Sequence, residues 1–277
     1  MCDACVINHV KETMLSRRGF FRASVGAGAA LAAGGGLGAA LAPLPASAQG
    51  AAKMADMTHT LAADFPTFFG QQQFWEEQKF NWAEHKFNLK EIRVNEHTGT
   101  HMDAPLHFSE NGMSVDEIPV ERLIVPLAVI DIRAKAAESA DAQVTPDDIK
   151  AWIAANGDLP AGCCVAMNSG WDKLVADAKF RSADDKGVMH FPGFHVDAAK
   201  MLMEEADVAG IAVDTLSLDF GQSPDFATHY AWLPSGRWGL ECIANLDLVP
   251  ARGATLVVGA PKHKGGTGGP ARVFTLI

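Results

Sequence analysis

The sequence predicts an α+β fold in which residues 49–277 form a single mixed-sheet domain. Three observations carry this reading. Short apolar runs with strand patterning are mixed with amphipathic helical stretches, but the regular βαβ rhythm of a doubly wound fold is missing. No internal repeat and no low-complexity linker interrupts the chain after residue 50. The 277 residues, 48% hydrophobic and 20% charged, supply ample core for one large domain.

Residues 1–48 stand apart from that domain. SRRGFFRA (Ser16–Ala23) leads into a Gly/Ala-rich apolar run that ends near Leu41, followed by a small-x-small site ending at Ala48. Twin arginines, weak hydrophobicity and such a site read as a twin-arginine export signal, with the translocase as a transient partner and a periplasmic or otherwise exported destination. Six glycines between Gly26 and Gly38 argue against a stable membrane anchor. Cys2 and Cys5 leave with the signal. The odd remainder (Cys163, Cys164 and Cys242) reads as buried thiols rather than a disulfide framework. Four of the 23 basic and two of the 33 acidic residues lie in the leader, so the chain beyond it carries −12. With no basic patch to neutralise phosphates, nucleic acid is excluded as a partner.

Along the domain, Asp56–Ala62 predicts a short strand. Phe65–Trp82, rich in Phe, Trp and Gln, fits neither period and predicts a loop or lid with one helical turn. Its rings, Trp75 among them, are expected either to form a lid or wall over an aromatic substrate or to pack as a buried hydrophobic cluster. Leu89–Asn95 alternates with Ile92 and Val94 on one face, as a strand would. Leu123–Ile132 is a strand that Pro126 confines to an edge or a bulge. Thr145 as N-cap and Pro146 at the first position open a helix to Ala155. Cys163–Asn168 predicts a buried strand, Val196–Ala206 an amphipathic helix, and Gly210–Asp214 and Ala254–Gly259 further strands. A glycine loop, Gly265–Pro270, precedes the last strand to Ile277.

The chemistry concentrates in EHTGTHMDAPLHF, where His97, His101, Asp103 and His107 fall within eleven residues. His97 and His101 have the i, i+4 spacing of a helix face, but Gly99 between them and Pro105 after them oppose a helix. The cluster is therefore expected on an irregular segment after a strand, with Gly99 giving the turn and Pro105 fixing the exit. Imidazole with carboxylate suits zinc, manganese or iron better than calcium or magnesium. Three ligands plus water make an open, catalytic type of site. Spacing alone leaves open whether His107 ligates or shuttles protons; if it ligates, Asp214 and Asp219 are the next candidates for proton transfer.

This motif resembles the HxGTHxDxPxH signature of the cyclase family of metal-dependent hydrolases, which includes bacterial kynurenine formamidases and isatin hydrolases. DMTHTLAADFPTFFG, GIAVDTLSLDFG (Gly210–Gly221), His229–Pro250 and KGGTGGPARV resemble further family segments, so the similarity spans nearly the whole chain beyond the leader. The resemblance implies a swivelling β/β/α fold and a homodimer or homotetramer. It implies that His97, His101 and Asp103 hold one divalent ion, Zn2+ or Mn2+. Asp103, His229 and Glu241 would hold a second in two-metal members, with His107 as acid/base. By composition alone His229 competes equally with His59, His85, His190, His195 and His263, and Glu241 is one acid among many. The export leader and the long aromatic loop set this chain apart from the short cytosolic formamidases.

The implied activity is metal-dependent hydrolysis of a C–N bond in a small molecule. An aryl formamide of the N-formylkynurenine type is the first expectation, and isatin-type ring opening of a cyclic amide the second. An exported metal- or ligand-binding protein without turnover is the competing class, and His107, which pure binding does not require, favours catalysis. For the leader, replacing Arg17 and Arg18 with Lys is expected to retain the protein in the cytoplasm uncleaved at Ala48. Cell fractionation checks this, and undiminished periplasmic recovery would contradict it.

Overall fold

Continuous apolar runs form the centre of one sheet in the computed structural model, which describes residues 53–277; the export signal expected at 1–48 lies outside the described residues. Strands β1 (Met54–Asp56), β2 (Phe74–Phe80), β3 (Leu89–Val94), β4 (His101–Asp103), β5 (Ile124–Asp131), β6 (Gln143–Val144), β7 (Cys163–Asn168), β8 (Gly193–Phe194), β9 (Val208–Val213), β10 (Trp238–Glu241), β11 (Arg252–Gly259), β12 (Gly268–Pro270) and β13 (Arg272–Leu276) follow in chain order. Nine of them make a mixed sheet in the order β1-β13-β11-β5-β7-β9-β10-β4-β12. Its four central strands β5, β7, β9 and β10 run parallel, and antiparallel strands flank them on both sides. This is the mixed sheet the sequence predicts, with the parallel block at its centre.

Parallel strands need crossovers, and helices supply them. Between β5 and β7 come α2 (Arg133–Glu138) and α3 (Pro146–Asn156), which follow α1 (Trp82–His85) in the chain. Thr145 caps α3 as predicted, sharing a capping box with Asp148. Helices α4 (Val196–Glu205) and α5 (Ala227–Trp232) precede β9 and β10. Alternate residues of the central strands feed two apolar clusters. Leu127, Val129, Cys164 and Ala166 join one, while Ala128, Ile130, Val165 and Met167 join the other with Ile149 of α3 and Leu202 of α4. Burial on both faces is why CCVAMN lacks alternation. The three cysteines among the described residues are free and buried, as predicted.

Three expectations need correction. Phe74–Phe80, predicted as loop, is strand β2, paired with β3 in a separate two-stranded sheet. Its sequence FWEEQKF shows no apolar alternation because neither face of its outer half is buried. Ile92 of β3 is 63% exposed for the same reason, so the apolar face read from Leu89–Asn95 does not enter the core. Among the described residues, the segment Glu76–Glu91 groups apart from the rest. It carries α1, capped by Asn81, and the ion pairs Lys79–Glu91 and Lys90–Glu76. Finally, Pro126 lies in an interior strand. It sits just before the β5–β7 ladder begins at Leu127, and opposite the register shift between Arg252 and Thr255 of β11. The bulge is present, but in the neighbouring strand.

One close approach governs the sheet beside β4. Gly210 of β9 faces Trp238 of β10, and a Cβ at Gly210 would come within 2.2 Å of the indole. Trp238 is fully buried, and its ring N–H donates to the Arg122 carbonyl. Gly210→Ala is therefore expected to cost about 1–3 kcal/mol, the usual range for overpacking. Urea denaturation measures it, and an unchanged midpoint would contradict the close packing.

Candidate metal centre

The centre is assembled from four short pieces of chain. After β3 an irregular stretch carries His97, and Gly99 turns it with φ +71°. His101 and Asp103 then lie on β4, so half of the cluster expected on irregular chain is in fact held in the sheet. Pro105 opens the 3-10 turn Pro105–Phe108 that brings in His107. Register does the rest. Glu241 of β10 pairs with His101, and both strands flanking Asp103 place a glycine opposite it, Gly239 and Gly268. A Cβ at Gly239 would come within 2.7 Å of Leu218 Cδ1 and stand in ordinary contact, 3.4 Å, with Asp103 Oδ2. Helix α5 supplies His229.

All six residues singled out in the sequence thus come together. His97 Nδ1 lies 2.7 Å from Asp103 Oδ1. His101 Nε2 lies 3.4 Å from Asp103 Oδ1 and 3.3 Å from Glu241 Oε2. His229 Nε2 lies 3.1 Å from Glu241 Oε1 and 3.6 Å from Asp103 Oδ2. His107 stacks on His97 with ring centroids 3.7 Å apart. Two sets of possible ligand atoms are compact, His101–Asp103–Glu241 and His97–Asp103–His107, with Asp103 common to both.

The imidazoles are aimed from behind. His101 Nδ1–H donates to the Gly99 carbonyl at 2.8 Å, leaving Nε2 to face the carboxylates. His229 Nδ1–H donates to Asp219 Oδ2 at 2.6 Å, with the same result. Asp219 also accepts the backbone N–H groups of Thr228 and His229. The Leu218 N–H donates to Glu241 Oε1 at 2.9 Å. Supports of this kind fix the tautomer and orientation of metal-binding histidines.

Electrostatics explain what the cluster needs. Burial alone would push the Asp103 carboxyl up, but the His101, His229 and His97 rings outweigh it and hold it well below the carboxylate range. Burial and Asp103 push Glu241 up, and His101 and His229 bring it back below its ordinary value. Burial pulls His101 down, yet Asp103 and Glu241 lift it to about 10. His229 rises well above its ordinary value against the same burial, through Asp103, Asp219 and Glu241. The buried carboxylates demand positive charge, and protons on two imidazoles are one way to supply it. A divalent cation is the other. It fits: His101 Nε2 and Asp103 Oδ2, both buried, have no hydrogen-bond partner, and the donor set is imidazole and carboxylate. His107 differs, since burial lowers it to about 4 and Asp103 and Glu241 only partly restore it. It is a neutral imidazole at neutral pH.

The reserve candidates for proton transfer do not hold up. Asp219 sits behind His229. Asp214, pushed up to about 7 chiefly by burial, accepts bonds from Ser169 and the Trp171 N–H, closing the turn after β7. Asp219 is instead a positioning group, and nothing in the spacing of GIAVDTLSLDFG revealed that role. The aromatic loop contributes Phe68 and Phe69 to a cavity of about 270 Å³ over the cluster, together with Phe108, Leu216 and Phe226. Trp75 does not line it. Its ring lies under the Arg93 guanidinium, 3.8 Å away. Phe226 and Cys242, both with positive φ near 53°, border the same cavity, where backbone strain tends to collect.

Comparison with known proteins places these residues in context. The family model described as "Putative cyclase" matches residues 55–220. The isatin hydrolase of Roseibium aggregatum is 38% identical over 194 residues, spanning 66% of this chain and 73% of that protein. The kynurenine formamidase of Salinibacter ruber is 28% identical over 184 residues, spanning 66% and 77%. Isatin hydrolase A from Labrenzia aggregata, solved with benzyl benzoate bound, superposes with a TM-score of 0.78 at 36% identity, covering 83% of this chain and 96% of that one.

Glu241 offers a direct check on the ligand set. Glu241→Gln keeps the shape and removes the charge, so the purified protein is expected to hold less divalent metal than the wild type. Elemental analysis reads this, and wild-type metal content with unaltered affinity would remove Glu241 from the site.

Proposed function

The chain belongs to the cyclase family of metal-dependent hydrolases, and from that premise we propose that it opens the C–N bond of a neutral, flat aryl amide, best an isatin-type cyclic amide. The observation that carries this is the wall of the cavity. Beyond the ligand cluster its described lining is Phe68, Phe69, Phe108, Leu216 and Phe226 with a few uncharged polar groups, and no Lys or Arg among the described residues. Such a wall suits a small uncharged ring system. The α-carboxylate of an amino-acid substrate such as N-formylkynurenine would meet no cation there. The isatin hydrolase relatives support the same choice. Aryl formamide hydrolysis is the second reading, supported by the Salinibacter ruber relative and by the shared need to release an aryl amine.

His97, His101, Asp103, His229 and Glu241 would hold one or two divalent ions, Zn2+ or Mn2+. A bound ion of this type supplies Lewis acidity and a water acidified to a pKa of about 7. The chain's own residues manage the protons. Water adding to the amide carbonyl must lose a proton, and the departing nitrogen must gain one. His107, neutral and at the cavity, can accept the first and deliver the second. The phenylalanines keep bulk water away, and Asp219 and the Gly99 carbonyl keep two ligand rings aimed. Export through the twin-arginine translocase to the periplasm, and assembly into a homodimer or homotetramer, belong to the same reading. The leader at 1–48 and the family resemblance support them.

His107→Asn is expected to keep its metal and lower kcat by ~10²–10⁴, the usual contribution of general acid–base catalysis. KM should change far less. Loss of metal in this variant would instead make His107 a ligand. On the wild-type enzyme, kcat/KM for isatin is expected to exceed that for N-formylkynurenine, with both activities lost to a chelator and restored by metal. The opposite order would favour the formamidase reading.

A further inference from the structure

The glycine loop before the last strand remains without a role in this account, and His97 is the one ligand ring whose support has not been described. The two meet. His97 Nε2 lies 2.9 Å from Thr267 Oγ1, and Thr267 Oγ1 lies 2.5 Å from Glu96 Oε2. The Thr267 N–H donates to the same oxygen at 3.2 Å, and Glu96 Oε1 bonds His263 Nε2. An ionised carboxylate only accepts, so the Thr267 hydroxyl must donate to Glu96. Its oxygen is then left to accept, and the proton between Thr267 and His97 must sit on His97 Nε2. That leaves Nδ1, the nitrogen 2.7 Å from Asp103 Oδ1, as the one free to face a cation.

The loop is shaped to deliver this one hydroxyl. A Cβ at Gly268 would come within 2.8 Å of His97 Cε1 and 2.2 Å of the Met102 carbonyl, and one at Gly266 within 2.2 Å of the His263 ring. Only Thr267, between them, carries a side chain toward the histidine. Its backbone is pinned independently of that side chain. The Ala104 N–H donates to the Thr267 carbonyl at 2.9 Å, the Val115 N–H donates to Gly266 at 2.9 Å, and β12 pairs along β4.

We infer that Glu96 and Thr267 form a carboxylate–hydroxyl relay that locks the tautomer of His97 and raises its affinity for the metal, acting as positioning residues that touch neither substrate nor ion. This gives the GGTGGP segment its function and rests on the metal-site reading above. Partners of this kind are typically worth ~10–100-fold in metal affinity. The test is divalent-metal affinity of the full-length apoprotein, by competition with a chromophoric chelator. Thr267→Val and Glu96→Gln should each weaken binding by about 10–100-fold, while Thr267→Ser stays near wild type and apoprotein Tm is unchanged in all three. Because the two groups act in series, the Thr267→Val/Glu96→Gln double variant should bind no more weakly than Thr267→Val alone. Wild-type affinity in Thr267→Val, failure of Thr267→Ser to restore it, or additive losses would overturn the relay while leaving the metal site standing. A wild-type protein that binds no divalent cation would bring down the metal-site reading itself, and the relay with it.

Discussion

A carboxylate at 1% exposure, Asp103, is the constraint on which the centre of this protein depends. An isolated charge in that position would cost several kcal/mol after relaxation, so it must be surrounded by positive partners and donors. The surrounding chain is arranged to meet that need. Three imidazoles converge on it from β4, the segment before it and α5. Both neighbouring strands give up their side chains at the paired position, Gly239 on one side and Gly268 on the other. A Cβ at Gly268 would come within 2.8 Å of His97 Cε1, and one at Gly239 within 2.7 Å of Leu218 Cδ1, so both positions must stay open for the cluster's neighbours. Two distant stretches of sequence are thereby bound to the HxGTHxDxP motif by sterics as much as by charge.

Support extends outward in layers. Each ligand ring has its second nitrogen occupied: His101 by the Gly99 carbonyl, His229 by Asp219, His97 by the Thr267 hydroxyl. Gly99 and Thr267 stand just ahead of the strands β4 and β12, and Asp219 lies between β9 and α5. The cavity wall is built differently. Phe68 and Phe69 come from the stretch ahead of β2, Phe226 from a left-handed residue before α5, and Phe108 from the end of a 3-10 turn. Strands hold His101, Asp103 and Glu241, while the cavity wall is drawn from irregular segments and turns.

Low polarity around the cluster matters to the chemistry as well. Removing water strengthens every interaction between the buried charges, and it holds His107 neutral beside them. An imidazole next to a carboxylate-rich centre would ordinarily be charged. Burial tips the balance the other way for His107, whose ring stacks on His97.

Local signals in the sequence determined a good deal. Apolar runs marked β5, β7 and β9, because a strand buried on both faces must be apolar throughout, and Ala254–Gly259 marked β11, whose buried residues alternate. Thr145-Pro146 marked the start of α3, because capping is a contact between near neighbours. The density of ligands between His97 and His107 marked a metal site, because few other needs bring three imidazoles and a carboxylate so close. The resemblance to the cyclase family pointed to His229 and Glu241, which spacing did not. Tertiary structure alone decided the rest. The hairpin strand β2 carried no apolar period, since its outer half is solvated. Asp219 and Thr267 look like any acid and any threonine until folding sets them 2.6 and 2.9 Å from histidines ten and 170 residues away. Trp75 shared a composition with Phe68 and Phe69, yet it packs under Arg93 while they line the cavity. Periodicity and capping are local physics and can be read along a chain; which nitrogen of a ring faces a metal depends on what stands behind it, and only the folded sheet brings that neighbour into place.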